Sequence, residues 1–171
     1  YRAMASGIVA QPYVIRTIAR TSGGLPIAPA YERPDPIRLD DSSLALIQEG
    51  LRGVVRMPTG TAHSLDSGRF AIPVMGKTGT TSEFRDALFV GSTYGPDGVT
   101  VAVRIGFDDN RSLGAQETGG RVALPVFREI MLAVYGGALA GPVPAFPPWM
   151  ERRITRYLQG DSLGVALPGP R

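Results

Sequence analysis

The stretch DDSSLALIQEGLRGVV places Leu44, Ile47, Leu51, Val54 and Val55 at three- and four-residue steps. That period predicts a helix with one apolar face, capped by Asp41 or Ser42. Gly50 and Gly53 weaken it by up to about 1 kcal/mol each. Farther on the period shortens to two. RFAIPVMGKTGTT, FRDALFVGSTY and VTVAVRIGF read as three consecutive strands, the last two joined by the turn signal GPDG. In VTVAVRIGF, Val99, Val101, Val103, Ile105 and Phe107 share one side, so that side is expected to be buried. Residues 120–135 return to the helical period, with Val122, Val126, Phe127, Ile130, Met131 and Val134 as the stripe and Pro125 tolerable only in the first turn.

The ends are less regular. YRAMASG reads as the last turns of a helix stopped by glycine, and PYVIRTIAR as a strand before the turn TSGG. Residues 24–40 are proline-rich and expected as loop, as is MPTGTAHSLDSG. WMERRITRYLQ is a short amphipathic helix beyond an apolar Pro/Gly stretch, and residues 161–171 are expected to fray. The pattern gives an α+β chain: a three-stranded antiparallel meander packed with a C-terminal helix. Residues 1–136 form the domain part, and 137–171 a Pro/Gly-rich linker and tail.

Composition narrows the function. The chain has 171 residues, 43% of them hydrophobic, enough for one core. Its net charge of +3 is spread over scattered arginines, which argues against a nucleic-acid stripe. It has no cysteine and one histidine, His63, so neither a disulfide framework nor a Cys/His metal site is expected. No secretory signal or membrane span is read. The opening without a start methionine suggests a piece of a longer polypeptide.

One residue stands apart. Lys77, in AIPVMGKTGTT, is the only lysine beside 17 arginines. Three readings compete. A phosphate loop needs free backbone amides and a following helix, and Pro73 and the β-branched neighbours oppose it. A surface lysine at a strand end is the plain structural reading. The third reading is an anion and oxyanion site on a strand edge. There, alternate threonines offer hydroxyls on one side, glycine lets a ligand approach the backbone, and the amine supplies a compact charge with a tunable proton. His63, Ser64 and Asp66 lie together in a loop and read as solvated polar residues, not as a triad. Arg85 and Asp86 read as strand-edge charges, and Glu117 to Gly120 as the start of the last helix.

GKTGTT, FRDALFVG, VRIGFDDNRSLG and ETGGRVALPVFREIM, in that order, resemble the C-terminal portion of the transpeptidase domain of class A, bifunctional penicillin-binding proteins. YRAMASG…QPYVIRTI and LIQEGLRGVVRMPTGTA resemble segments between that family's second and third motifs. The resemblance implies the trailing part of a penicillin-binding/serine β-lactamase-like fold, outside the cytoplasmic membrane and anchored to it through missing upstream sequence. It implies a D,D-transpeptidase that cross-links peptidoglycan stem peptides through a serine acyl-enzyme, binds β-lactams and uses no cofactor or metal. By the same resemblance, Lys77 and Thr80 serve the chemistry, and Thr78, Gly79, Thr80 and Thr81 bind substrate. Leu88 stands where the family often carries tryptophan. Ser-x-x-Lys and Ser-x-Asn are both absent. The chain is therefore expected to be inactive without its upstream part, which would be its partner along with the D-Ala-D-Ala stem. The alternatives are a non-catalytic binding or scaffolding module of the same fold, or a D,D-carboxypeptidase or serine β-lactamase-like enzyme.

Overall fold

The computed structural model describes residues 1–9, 12, 18–19, 27, 35–67 and 69–160. Helix α1 (Arg2–Ser6) ends at Gly7 in the left-handed conformation, as the glycine stop predicts. Two-residue strands β1 (Ile8–Val9) and β2 (Asp35–Pro36) pair antiparallel. Ile18 bridges Ile27 antiparallel, but most of the expected strand 12–20, the turn after it and most of the proline-rich loop lie outside the described residues.

Helix α2 (Asp41–Arg56) is capped by Asp40 rather than by Asp41 or Ser42: the Asp40 carboxylate accepts the Ser43 amide at 2.9 Å and the Ser42 hydroxyl. These bonds, the Ser42 hydroxyl first, hold the Asp40 carboxyl well below the usual carboxylate range. The most buried positions of α2 are Gln48, Arg52 and Val55, not the apolar stripe alone. They share one face at steps of four and three. Gln48 donates to the Met4 and Ala5 carbonyls at 3.1 and 3.2 Å, which satisfies its buried amide.

The three expected strands are present as β3 (Met75–Thr80), β4 (Asp86–Ser92) and β5 (Thr100–Gly106), an antiparallel meander in that order. β3 is shorter than its sequence signal. Phe70, Ile72 and Val74 are buried with period two, yet lie outside the ladder, where Pro73 has no amide hydrogen to give. The alternating side of β5 is covered only at its centre. Val103 is buried, whereas Phe107 is 39% exposed, with the Arg111 guanidinium 3.9 Å from its ring centre.

The C-terminal helix opens with a single π-helical turn, Gly119–Ala123, and continues as α3 (Leu124–Gly136), with Pro125 in the first turn as required. Its buried stripe is Leu124, Phe127 and Met131; Val126 and Ile130, expected inside, are 42% and 37% exposed. Phe127 meets Phe89 of β4 edge to face, ring centres 4.7 Å apart. These residues, with Val55, Val74 and Val103, form the main core. The segment 137–171, read as linker and tail, contains helix α4 (Pro148–Leu158), whose Met150 and Ile154 are buried. With Phe146, they close a second core on Ala5 and Met75. Residues 161–171 lie outside the described residues. Among the described residues, no helix is long and apolar enough to cross a membrane.

Candidate functional site

Successive residues of an extended chain face opposite ways, and the approach to β3 shows it: Val74, just before the strand, belongs to the main core and Met75, its first residue, to the second. The same alternation puts Thr78 and Thr80 on one face and Lys77 on the other. β3 is the last strand of the sheet, so among the described residues it has a ladder partner only in β4. Its other edge, which no strand pairs with among the described residues, is the one a ligand strand would use. Lys77 and Thr80 are exposed, and Thr78 and Gly79 half-buried.

Both hydroxyls are held by neighbours. Thr78 Oγ1 lies 2.7 Å from Thr61 Oγ1, in the loop after α2. Two hydroxyls sharing one hydrogen bond retain one hydrogen for a third group. Thr80 Oγ1 accepts the Gly119 amide at 3.2 Å, which leaves its own hydrogen free to donate. That bond also explains the start of the last helix. Thr118 makes no side-chain cap, and Thr80 from the neighbouring strand takes that place. Gly119 permits the contact: a Cβ there would lie 2.1 Å from the Leu88 carbonyl and 2.6 Å from that of Gly79. Thr81 closes the turn into β4. Its hydroxyl accepts the Asp86 amide at 2.7 Å, and its own amide donates to the Asp86 carbonyl at 3.0 Å.

Lys77 Nζ donates to the Thr78 carbonyl at 2.8 Å, so the amine curls along the strand toward the threonines rather than away from them. Gly79 lies over Leu88, and a Cβ there would press on the Leu88 Cβ at 3.3 Å. Leu88 thus packs directly beneath the glycine that it faces in the ladder.

The other polar candidates are engaged elsewhere. His63 Nδ1 lies 3.1 Å from the Val55 carbonyl, and Asp66 pairs with Arg56 at 2.9 Å, so His63, Ser64 and Asp66 do not form a catalytic chain. Arg85 pairs with Glu83, and Asp86 with Arg104 of β5 at 2.6 Å, both as ordinary strand-edge pairs. Among the described residues, no three His, Cys, Asp or Glu side chains gather as metal ligands. Sequence reasoning missed Thr61 and Gly119, which come to β3 from 17 and 39 residues away. Neither had a local signal beyond lying in the glycine-containing stretches TGTA and ETGG.

Residues 1–132 match the family model described as the penicillin binding protein transpeptidase domain. Penicillin-binding protein 1A of Neisseria lactamica is 38% identical over 125 residues, which cover 70% of this chain and 14% of that protein. Penicillin-binding protein 1A of Aquifex aeolicus is 49% identical over 62 residues, 36% of this chain and 8% of that protein. The chain therefore spans a small part of these relatives. The 2.6 Å crystal structure of penicillin-binding protein 1A from Haemophilus influenzae matches with a TM-score of 0.56 at 23% identity, over 85% of this chain and 26% of that one. That is a likeness of fold, and it agrees with the α+β meander and C-terminal helix.

Proposed function

The chain belongs to the penicillin binding protein transpeptidase family, and we propose that it supplies the ligand strand of a peptidoglycan D,D-transpeptidase whose nucleophile lies in sequence outside these 171 residues. The observation that carries this is the edge of β3 that has no ladder partner among the described residues, with two hydroxyls on one face and the only lysine immediately before them in sequence.

A stem peptide ending in D-Ala-D-Ala would lie antiparallel along that edge and add a fourth strand beyond β3. Its terminal carboxylate takes the free hydrogens of Thr78 and Thr80, with the Lys77 ammonium adding attraction as a point charge. Thr61 orients the Thr78 hydroxyl, and Gly119 orients that of Thr80. The Thr80 amide stabilises the oxyanion that forms when serine attacks the D-Ala-D-Ala carbonyl, a contact typically worth about 2.7–4 kcal/mol in the transition state. Gly79 keeps the strand surface low beside the ligand, and Thr81 borders the site and fixes the turn that follows it. A β-lactam carries a comparable carboxylate and strained amide and would occupy the same slot. The setting would be extracytoplasmic, with membrane attachment through the upstream sequence.

Positioned donors without a nucleophile transfer no acyl group. The purified 171-residue chain is expected to show no covalent label from a fluorescent penicillin. Labelling is expected once the chain is part of a polypeptide that also carries Ser-x-x-Lys and Ser-x-Asn, and Thr80→Val should slow that labelling. A label on the isolated chain would overturn the division of labour. Labelling of the complete domain unaffected by Thr80→Val would overturn the role of β3.

A further inference from the structure

Residues 133–171 lie beyond the family match, yet part of that segment reaches the base of β3. Arg52, 7% exposed, is the link. Its Nη1 donates to the Val74 carbonyl at 2.6 Å, one residue before the strand begins. Its Nε donates to Glu151 of α4 at 2.8 Å, and its guanidinium lies 4.6 Å from the centre of the Phe146 ring. Glu151 also meets Arg56 at 3.3 Å, so one carboxylate serves both arginines. Met75, the first residue of β3, is fully buried in the cluster that includes Phe146 and Met150, and its carbonyl accepts the Tyr1 hydroxyl at 2.9 Å.

We propose that the segment from Phe146 to Ile154 is a positioning clamp for the ligand strand, acting through Arg52 on the Val74 carbonyl. β3 is tied down at two places: by Arg52, Tyr1 and the second core at its start, and by Gly119 and Asp86 at its end. Between them, among the described residues, Lys77, Thr78 and Gly79 have ladder support from one side only. Such a strand slides or tilts when one end is released. A buried guanidinium makes the start rigid because its alternatives are poor. Without Glu151 it would be a desolvated charge with one partner fewer, and it would leave the strand for water. Arg52, Glu151 and Phe146 are thus positioning residues that act through β3 and do not touch the ligand.

This inference rests on the ligand-strand reading above. Its test is the kinetics of penicillin acylation in the complete transpeptidase domain. Glu151→Gln removes the charge that holds Arg52. Phe146→Leu removes the ring under the guanidinium but keeps an apolar filler, and it carries the test should the first variant fail to fold. Arg152→Gln, exposed on the same helix, is the control. In the two clamp variants, the acylation rate at saturating penicillin is expected to fall on the order of 10- to 100-fold, the scale of a reacting group misplaced by an ångström or less. The final labelled fraction should remain that of the parent, as should the control's rate. A role in stability alone would lower the labelled fraction and leave the rate per active site unchanged, which would overturn the inference, as would wild-type rates in both variants. If the unmutated domain takes no label at all, the ligand-strand reading falls and this inference with it. If it labels and the variants label equally fast, only the clamp falls.

Discussion

Two interiors meet at β3, and adjacent residues enter them. Val74 enters a core of aliphatic residues and three phenylalanines spanning α2, the sheet and α3. Met75 enters a smaller one, where Ala5, Phe146, Met150 and Ile154 sit beside charged and amide side chains. The first is packed by apolar side chains and the Tyr135 ring. The second is flanked by Gln48, by Arg52 paired with Glu151, and by Arg153 paired with Glu49 at 3.2 Å, with both of these last side chains nearly buried. Burial pushes the Arg52 guanidinium down from its ordinary range, and Glu151 pulls it back up. Apolar packing is tolerant of small shifts. Charge pairs in a dry setting are directional, and they cost several kcal/mol if one partner leaves. The difference indicates that the first interior holds the sheet together and the second sets where one strand lies.

Truncating each interior tests that division most strongly. Phe127 is fully buried against Phe89, and Phe127→Ala is expected to cost about 3–5 kcal/mol and to loosen the whole sheet. Met150 is equally buried, and Met150→Ala falls in the range of about 2–5 kcal/mol, at the lower end if α4 shifts to fill the gap. The distinction lies in where protection is lost. Amide hydrogen exchange should rise throughout β3, β4, β5 and α3 in the first variant. In the second it should rise in residues 142–158 and at Met75, and leave β4 and β5 as they were. Equal loss across β4 and β5 in both variants would mean one cooperative core, and the comparison would collapse.

Gly50→Ala probes the shared element, with a smaller effect of opposite sign. α2 faces both interiors, and a Cβ at position 50 would meet nothing within 4 Å. Replacing an interior helix glycine with alanine should then stabilise the chain by about 0.5–1 kcal/mol. A denaturation midpoint that moves up without a change in slope would bear this out. A midpoint that moves down would show that α4 sits closer to α2 than the structure places it.

The first interior was legible in the sequence and the second was not, for the same physical reason. The meander announced itself because β4 and β5 alternate and a turn signal separates them, and α3 because its apolar residues recur at helical steps. Where that reading erred, neighbours decided. Val126 and Ile130 are as apolar as Phe127, but only Leu124, Phe127 and Met131 point at the sheet. The stretch 69–74 alternates like a strand but has no ladder, since Pro73 has no hydrogen to share. In the second interior the apolar residues are joined by buried Gln48, Arg52 and Arg153, which hydropathy assigns to solvent. Their partners, Ala5, Val74, Glu151 and Glu49, come from other elements, and long-range polar pairing leaves no local period. The candidate site divides likewise. GKTGTT identified itself by one unusual lysine and a threonine alternation. Thr61 and Gly119, which orient the hydroxyls, were invisible until folding brought them there.

The smallest expected effect concerns Asp40, where α2 begins away from both interiors. Its carboxylate accepts bonds from Ser42 and Ser43, so its folded-state affinity for protons is below the unfolded value. For a depressed carboxyl, the contribution to stability is complete above the unfolded pKa, near 3.9, and is lost as pH falls through the lower folded value. Asp40→Asn keeps an oxygen acceptor for the Ser43 amide but removes the charge that favours a helix start. The wild type should therefore melt slightly above Asp40→Asn at pH 6, and the gap should close as pH drops below about 4. Because the carboxylate is exposed, added salt should shrink the gap as well. Melting temperatures of the two proteins across that pH range decide it. A gap that persists unchanged into acid would mean that the cap works through hydrogen bonding alone. A gap at neutral pH larger than that between wild type and Gly50→Ala would place more of the stability at this edge of α2 than either interior accounts for.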